Sequence, residues 1–370
     1  MAVRRMNRDL VPCVEKSAKE LNPIAISSEP SLADKIAFLM RGDSYFPPAR
    51  EVTRRETHMS EVFLADGSAY KLKKPVRFPY LDFSTLARRE AACRAEFRLN
   101  RRLAADVYRE VVALTHSPAG LAIGGPGHVV DWLVVMNRLD DAKMLDRVIA
   151  EGRLHCWQLD RVAAVLVQFY RRARAVFISP EIYRAALWTS LAYNQRVLLD
   201  PRFDLPVGMV RHSDAVQRRF LAERGALIAA RVLTRCIVDG HGDLRPEHIW
   251  LGDPVRIIDC LEFNAGLRMV DPLDELAFLC VECERLGAAW AGEYLRRRVA
   301  RALHDGRADE LFLFYRCHRA TLRARLAIAH LLEPETRTPE KWPALARTYL
   351  RIAHADAVRL ERSLRKRADR

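Results

Sequence analysis

Two carboxylates, Asp243 and Asp259, stand 16 residues apart at the ends of two short apolar runs, and this constrains the fold more than any other feature of the chain. The first lies in His241-Gly242-Asp243-Leu244-Arg245-Pro246-Glu247-His248, just after the strand-like run Cys236-Ile237-Val238-Asp239. The second closes Ile257-Ile258-Asp259, and Gly252-Asp253-Pro254 between them reads as a turn. A strand–turn–strand return brings two such carboxylates together. Phosphoryl transfer needs that arrangement. One carboxylate orients the attacking hydroxyl and accepts its proton, while the other holds Mg²⁺ against the phosphates.

The 370 residues suffice for two lobes, and half of them are hydrophobic, enough for a large core. Apolar runs fall short of the roughly 18 residues of a membrane span. The N-terminus is charged throughout and lacks the apolar stretch of a secretion signal, so a cytoplasmic location is expected. The eight cysteines are scattered. Only Cys280 and Cys283 form a CxxC, within a helical pattern and with no second pair to complete a zinc site, so reduced thiols are expected. The net charge of +14 is spread over many helices. Its densest run, residues 359–370, reads as a solvated helix end, and nucleic acid is not an expected partner.

Residues 1–30 have weak periodicity and several breakers, which predicts a flexible leader. A helix pattern begins at Leu32, with Ser31 as its N-cap. Two apolar runs around Asp66-Gly67-Ser68 predict a hairpin. A helix over 84–104 and strands over 107–115 and 127–139 follow. Residues 31–137 thus form a small α+β lobe. Helical patterns dominate 138–370: 140–151, 156–176, 180–199, 212–235, 271–286, 288–304, 308–332 and 339–366. The run Gly124-Gly125-Pro126-Gly127 reads as a hairpin turn and not as a dinucleotide loop, since no helix follows it.

The central segment resembles the catalytic loop of the aminoglycoside phosphotransferase and choline kinase superfamily, whose fold is that of the protein kinases. The usual run there is His-Gly-Asp, two residues, Pro, one residue, Asn. Ile258-Asp259 matches the family's second motif, and Asp271-Pro272-Leu273-Asp274-Glu275-Leu276-Ala277 matches its third. The stretch from Tyr70-Lys71-Leu72-Lys73-Lys74-Pro75 to Ala104 resembles the N-lobe of a bacterial subgroup often fused to a P-loop ATPase. This chain contains no such P-loop motif. The resemblance covers residues 32–335 and implies a bilobal α+β fold that binds ATP with Mg²⁺ and phosphorylates a small-molecule hydroxyl.

Carried over, Asp243 takes the place of the catalytic base and Asp259 that of the metal-binding carboxylate. Arg245 stands where a cation neutralises the transferred phosphate. The phosphate-binding lysine is Lys73 or Lys71, which share a strand face while Lys74 points away; the family's strand register favours Lys73. Its carboxylate partner is Glu96, with Glu90 as second choice. The nucleotide lies between the lobes, near Met136 to Leu139. Two departures stand out. His248 replaces the family's Asn, which supplies a second metal contact. The imidazole can bind a softer ion such as Mn²⁺, contact phosphate, or mark a weakened site. The glycine-rich phosphate loop is absent, and the backbone amides of Glu56–Ser60, or the Ser60 hydroxyl, stand in its place.

Arg316, Arg319 and Arg323 fall on one helical face. They form internal salt bridges, to Asp271, Asp274 or Glu275, or the wall of a cleft for an anionic substrate. Glu262 and Asn264 face the acceptor, or Glu262 serves as a structural hydrogen-bond acceptor. Asp274 either accepts amides from the catalytic loop or caps its own helix. Two other readings compete with an active kinase: a pseudokinase module that binds nucleotide with little turnover, and a nucleic-acid-associated protein.

Overall fold

The computed structural model describes residues 29–78, 80–305, 309–332 and 338–368. The leader expected over 1–30 lies outside the described residues except for its last two positions. In chain order the first lobe holds α1 (Leu32–Leu39), β1 (Val52–Glu56), β2 (Ser60–Ala65), β3 (Ser68–Lys73), β4 (Arg77–Phe78), β5 (Leu81–Asp82), α2 (Leu86–Asn100), β6 (Tyr108–Ser117), β7 (Gly120–Ile123) and β8 (His128–Asn137). Six strands form one antiparallel sheet in the order β1-β2-β3-β8-β6-β7.

Local chemistry sets these elements. Ser31 caps α1 in a capping box with Asp34. Asp66, at φ +48°, makes the tight turn between β2 and β3. The two helices are pinned to the sheet through Asp131 on β8, which is 1% exposed. Lys35 of α1 reaches one of its oxygens and Arg89 of α2 the other, both at 2.8 Å. A buried carboxylate paired on both oxygens fixes where α2 lies, and α2 carries Glu96.

The Gly124–Gly127 run is not a hairpin turn. It follows β7, a strand too short to stand out in the sequence, and β7 and β8 both pair with β6, on opposite sides. The run therefore carries the chain across β6, and Gly127 does so at φ +126° with the His116 carbonyl where a Cβ would be.

The second lobe holds α3 (Leu145–Ala150), α4 (Cys156–Arg172), α5 (Pro180–Leu198), α6 (Val207–Glu223), α7 (Gly225–Leu233), β9 (Val238–Asp239), β10 (Ile249–Trp250), β11 (Arg256–Ile257), β12 (Met269–Val270), α8 (Pro272–Arg285), α9 (Ala289–Ala302), α10 (Asp309–Ala329) and α11 (Lys341–Ala368). The helix expected over 212–235 is two helices, broken at Arg224, where Gly225 packs against the Arg184 guanidinium. The core of this lobe is one continuous cluster that includes Phe220 stacked on Phe314 at 4.6 Å. No helix among the described residues is long and apolar enough to cross a membrane. The architecture is α+β, a curled antiparallel sheet with two helices followed by a mostly helical lobe, as expected.

Candidate active site

β10 and β11 form the expected strand–turn–strand return, pairing Ile249 with Ile257 and Trp250 with Arg256. The two carboxylates consequently flank one imidazole. His248 Nδ1 lies 3.7 Å from Asp243 Oδ2, and its Nε2 lies 3.5 Å from Asp259 Oδ2.

His248 is occupied on both nitrogens. Nδ1 is 2.9 Å from the Asp243 carbonyl, which can only accept, so Nδ1 carries the hydrogen. Nε2 is 3.0 Å from Arg245 Nη2, which can only donate, so Nε2 accepts. The metal-binding role expected of His248 would require it to give up Arg245. Arg245 itself lies 3.0 Å from Asp243 Oδ2. Desolvation pushes the Asp243 carboxyl up, but the Arg245 and Arg323 guanidiniums outweigh it and hold the group below its ordinary value.

The backbone of the His241–His248 loop is braced from beneath. Gly242 adopts φ +86° and its N–H donates to Glu275, whose other oxygen accepts from Tyr170 at 2.9 Å. The role expected of Asp274 therefore falls to its neighbour. Asp271 caps α8 through the Leu273 amide at 2.9 Å, and Asp274 forms a two-point pair with Arg319 at 2.7 and 2.6 Å. Arg316 pairs with Glu284 and Asp356 and Arg323 with Glu282, so all three arginines are salt-bridged, but only Arg319 to an expected partner. His241 donates from Nε2 to the Ile258 carbonyl at 2.9 Å and accepts the Asp243 amide on Nδ1 at 3.3 Å. Burial depresses its pKa to about 4, so it braces the loop as a neutral ring.

Asp259 sits at φ +60°, with its amide on the Tyr108 hydroxyl at 3.2 Å. The next amide, of Cys260, donates to Asn100 Oδ1 at 2.8 Å, and Asn100 Nδ2 donates to the Glu96 carbonyl at 2.9 Å. The end of α2 thereby fixes both Glu96 and the Asp259 loop.

Both candidate lysines converge on Glu96. Lys71 Nζ is 2.8 Å from Glu96 Oε1 and 2.8 Å from Asp259 Oδ1. Lys73 Nζ is 2.6 Å from Glu96 Oε2 and bonds Glu262 on its other side. The Lys73 side chain is fully buried, whereas that of Lys71 is 14% exposed and faces Asp259, which is 44% exposed. Glu90, the alternative partner, pairs with Arg94 on the exposed face of α2. Desolvation pushes Glu96 up, and the two lysines more than reverse it. Desolvation also raises Asp259, and the Lys71 ammonium brings it well below the usual carboxylate range. Asp259 is thus an ionised, accessible carboxylate. Mg²⁺ is commonly held by one or two carboxylates together with substrate phosphates and water, and Asp259 fits that demand. No cluster of three or more metal-ligating side chains occurs among the described residues.

The turn at the glycine-rich position is closed on itself. Thr57 N–H and its hydroxyl both donate to the Ser60 carbonyl, at 2.8 and 3.0 Å, and the Ser60 amide donates to Thr57 Oγ1 at 2.9 Å. Ser60 is 2% exposed and lies opposite Lys73 in the β2–β3 register. A row of rings runs through this turn, and the sequence alone did not reveal it. Trp342 stacks on His330 at 3.9 Å, His330 meets His58 edge-on at 6.0 Å, and His58 stacks on Phe78 at 4.3 Å. Tyr80 and Phe263 continue it at 5.8 and 6.0 Å.

The sequence matches no family model. It is 36% identical over 278 residues to the uncharacterized protein Rv2004c of Mycobacterium tuberculosis, a match that takes in 74% of this chain and 54% of that protein. The chain thus spans about half the length of this relative. Among solved structures, a thermostable mutant of aminoglycoside phosphotransferase APH(4)-Ia in its apo form superposes with a TM-score of 0.50 at 12% identity, over 85% of this chain and 98% of that one. A ternary complex of the same enzyme with AMP-PNP and hygromycin B gives a TM-score of 0.50 at 12% identity, over 86% and 97%. The fold is therefore the kinase-like fold of the phosphotransferases.

Proposed function

We propose that this kinase-like chain is an ATP-dependent phosphotransferase that passes the γ-phosphoryl group to a hydroxyl of a small molecule in the cytoplasm. The observation that carries this reading is the meeting of Lys71, Glu96 and Asp259 on one side of His248 with Asp243 on the other. Nucleotide phosphates entering the cleft would take Lys71 from Asp259, and Asp259 would hold Mg²⁺, whose charge offsets that of the phosphates. Asp243, kept ionised by Arg245, would orient the acceptor hydroxyl and take its proton. Arg245 is placed by His248 to follow charge developing on the transferred group. His248 acts in this scheme as a spacer between the carboxylates and not as a metal ligand.

Arg245 and Arg323 both act on Asp243, which favours a neutral or anionic alcohol over a polycation as acceptor. The test is ATP consumption with Mg²⁺ or Mn²⁺ across sugars, sugar acids, nucleosides and aminoglycosides, beside Asp243→Ala. Acceptor-dependent turnover that the variant lacks is the expected result. ATP binding without turnover on any acceptor would move the reading to a nucleotide-binding regulatory module.

A further inference from the structure

Five ionisable groups of alternating sign run through the base of the first lobe: Glu262, Lys73, Glu96, Lys71 and Asp259. Glu96 is the middle member, fully buried, and gives one oxygen to each lysine. A single lysine could neutralise Glu96 and also reach a phosphate, yet two are present. They differ in access. Lys73 has no exposed side-chain surface, packs 5.0 Å over the Phe83 ring and is closed in by Glu262. Lys71 ends on the part-exposed Asp259.

We propose that Lys73 is a positioning residue. Held by Glu262, it keeps Glu96 neutralised, so that Lys71 can leave Glu96 and Asp259 for a ligand's phosphates. A buried carboxylate stripped of its partner is strongly unfavourable. With Lys73 in place, Glu96 is never stripped while Lys71 moves. Glu262 in turn balances Lys73, which would otherwise be a surplus buried cation. The ligand side of this assignment rests on the reading of the cleft as a nucleotide site.

Two readouts test it on the full chain. One is binding of AMP-PNP with MgCl₂ by titration calorimetry. The other, made without nucleotide, is the acetylation rate of Lys71 by acetic anhydride, followed by mass spectrometry. In Lys73→Met, Lys71 becomes the sole partner of Glu96, so acetylation slows and AMP-PNP binding weakens, each by about tenfold, the equivalent of one pKa unit. In Glu262→Gln the lysines lose a negative neighbour and Lys73 turns wholly to Glu96. Lys71 then acetylates faster and AMP-PNP binds more tightly, by several-fold. A merely structural role would weaken binding in both variants. Should Lys73→Met fail to fold, the opposite sign expected of Glu262→Gln still decides. Unchanged or slower Lys71 acetylation in Glu262→Gln overturns the proposal, whatever the nucleotide affinity. If the wild type binds no AMP-PNP but the acetylation rates shift as stated, the nucleotide reading fails and the role of Lys73 stands.

Discussion

Lys71 Nζ and Asp259 Oδ1 lie 2.8 Å apart although 188 residues separate them in the chain. The contact joins the sheet of one lobe to the loop of the other, and it occupies the carboxylate that a metal would need. A metal and a phosphate together would relieve it, by taking Asp259 and Lys71 respectively.

Nucleotide and metal are accordingly expected to bind with strong mutual dependence. In Asp259→Asn the gain in AMP-PNP affinity on adding MgCl₂ should vanish, while the metal-free affinity stays within about threefold of wild type, since Lys71 loses a competitor as well as a neighbour. Titration calorimetry with and without MgCl₂ reads both terms. A full metal effect retained in the variant would remove Asp259 from the metal site.

His248→Ala separates spacer from ligand. With both ring nitrogens engaged by protein, the ratio of activity with Mg²⁺ to activity with Mn²⁺ should move by less than about twofold, while kcat falls by roughly 10–100-fold through the loss of Arg245 placement. A large change in metal preference would make His248 a ligand.

The Arg319–Asp274 pair ties α10 to α8 and is nearly closed to solvent. Arg319→Met leaves a buried carboxylate without its partner and is expected to cost about 3–5 kcal/mol in denaturant unfolding. Adding Asp274→Leu should recover most of that loss. A double variant as unstable as the single one would show that the pair supplies more than mutual neutralisation.

Acid should destabilise the fold well above the carboxylate range. His241 and His318 are buried, and burial depresses each from 6.5 to about 4. Between those values the unfolded chain binds protons that the folded chain refuses, so stability is full above pH 6.5 and falls as the pH drops towards 4. The loss amounts to roughly 3 kcal/mol per ring. Urea unfolding at intervals across this window checks the slope, and His318→Gln should remove about half of it. A flat profile in the wild type would contradict the neutral, buried state of both rings.

The ring row is expected to slow ligand exchange. His58 is the one ring on the β1–β2 turn, and it meets His330 of the other lobe. His58→Ala should speed AMP-PNP release by roughly threefold to tenfold in stopped flow, in line with about 0.5–1.5 kcal/mol per aromatic pair. An unchanged off-rate would mean that the row does not guard the cleft.

Chemistry concentrated in short loops was legible in the sequence. Asp243 and Asp259 stand in a compact motif, and the turn between them forces their approach. Glu96 was read from the resemblance, as a carboxylate on the helix that follows the lysine strand, with Glu90 as the second choice. The choice between Lys71 and Lys73 was not legible, because a strand's two-residue period puts both on one face and only the depth of burial separates them. The acceptor for the His241–His248 loop was misplaced by one residue, on Asp274 instead of Glu275. Adjacent carboxylates in the first turn of α8 read alike until the helix phase is known. Asp131 and the ring row were missed since each draws on segments far apart in the chain. No local period marks such a meeting point.

The paired lysines of β3 also bear on descent. One residue inserted between Lys71 and Lys73 would turn one amine to the opposite face of the sheet, and one inserted between Asp259 and Glu262 would separate the loop's two contacts. The two spacings are therefore expected to be inherited together. In homologous chains, the second lysine and the carboxylate three positions after Asp259 should be gained or lost together.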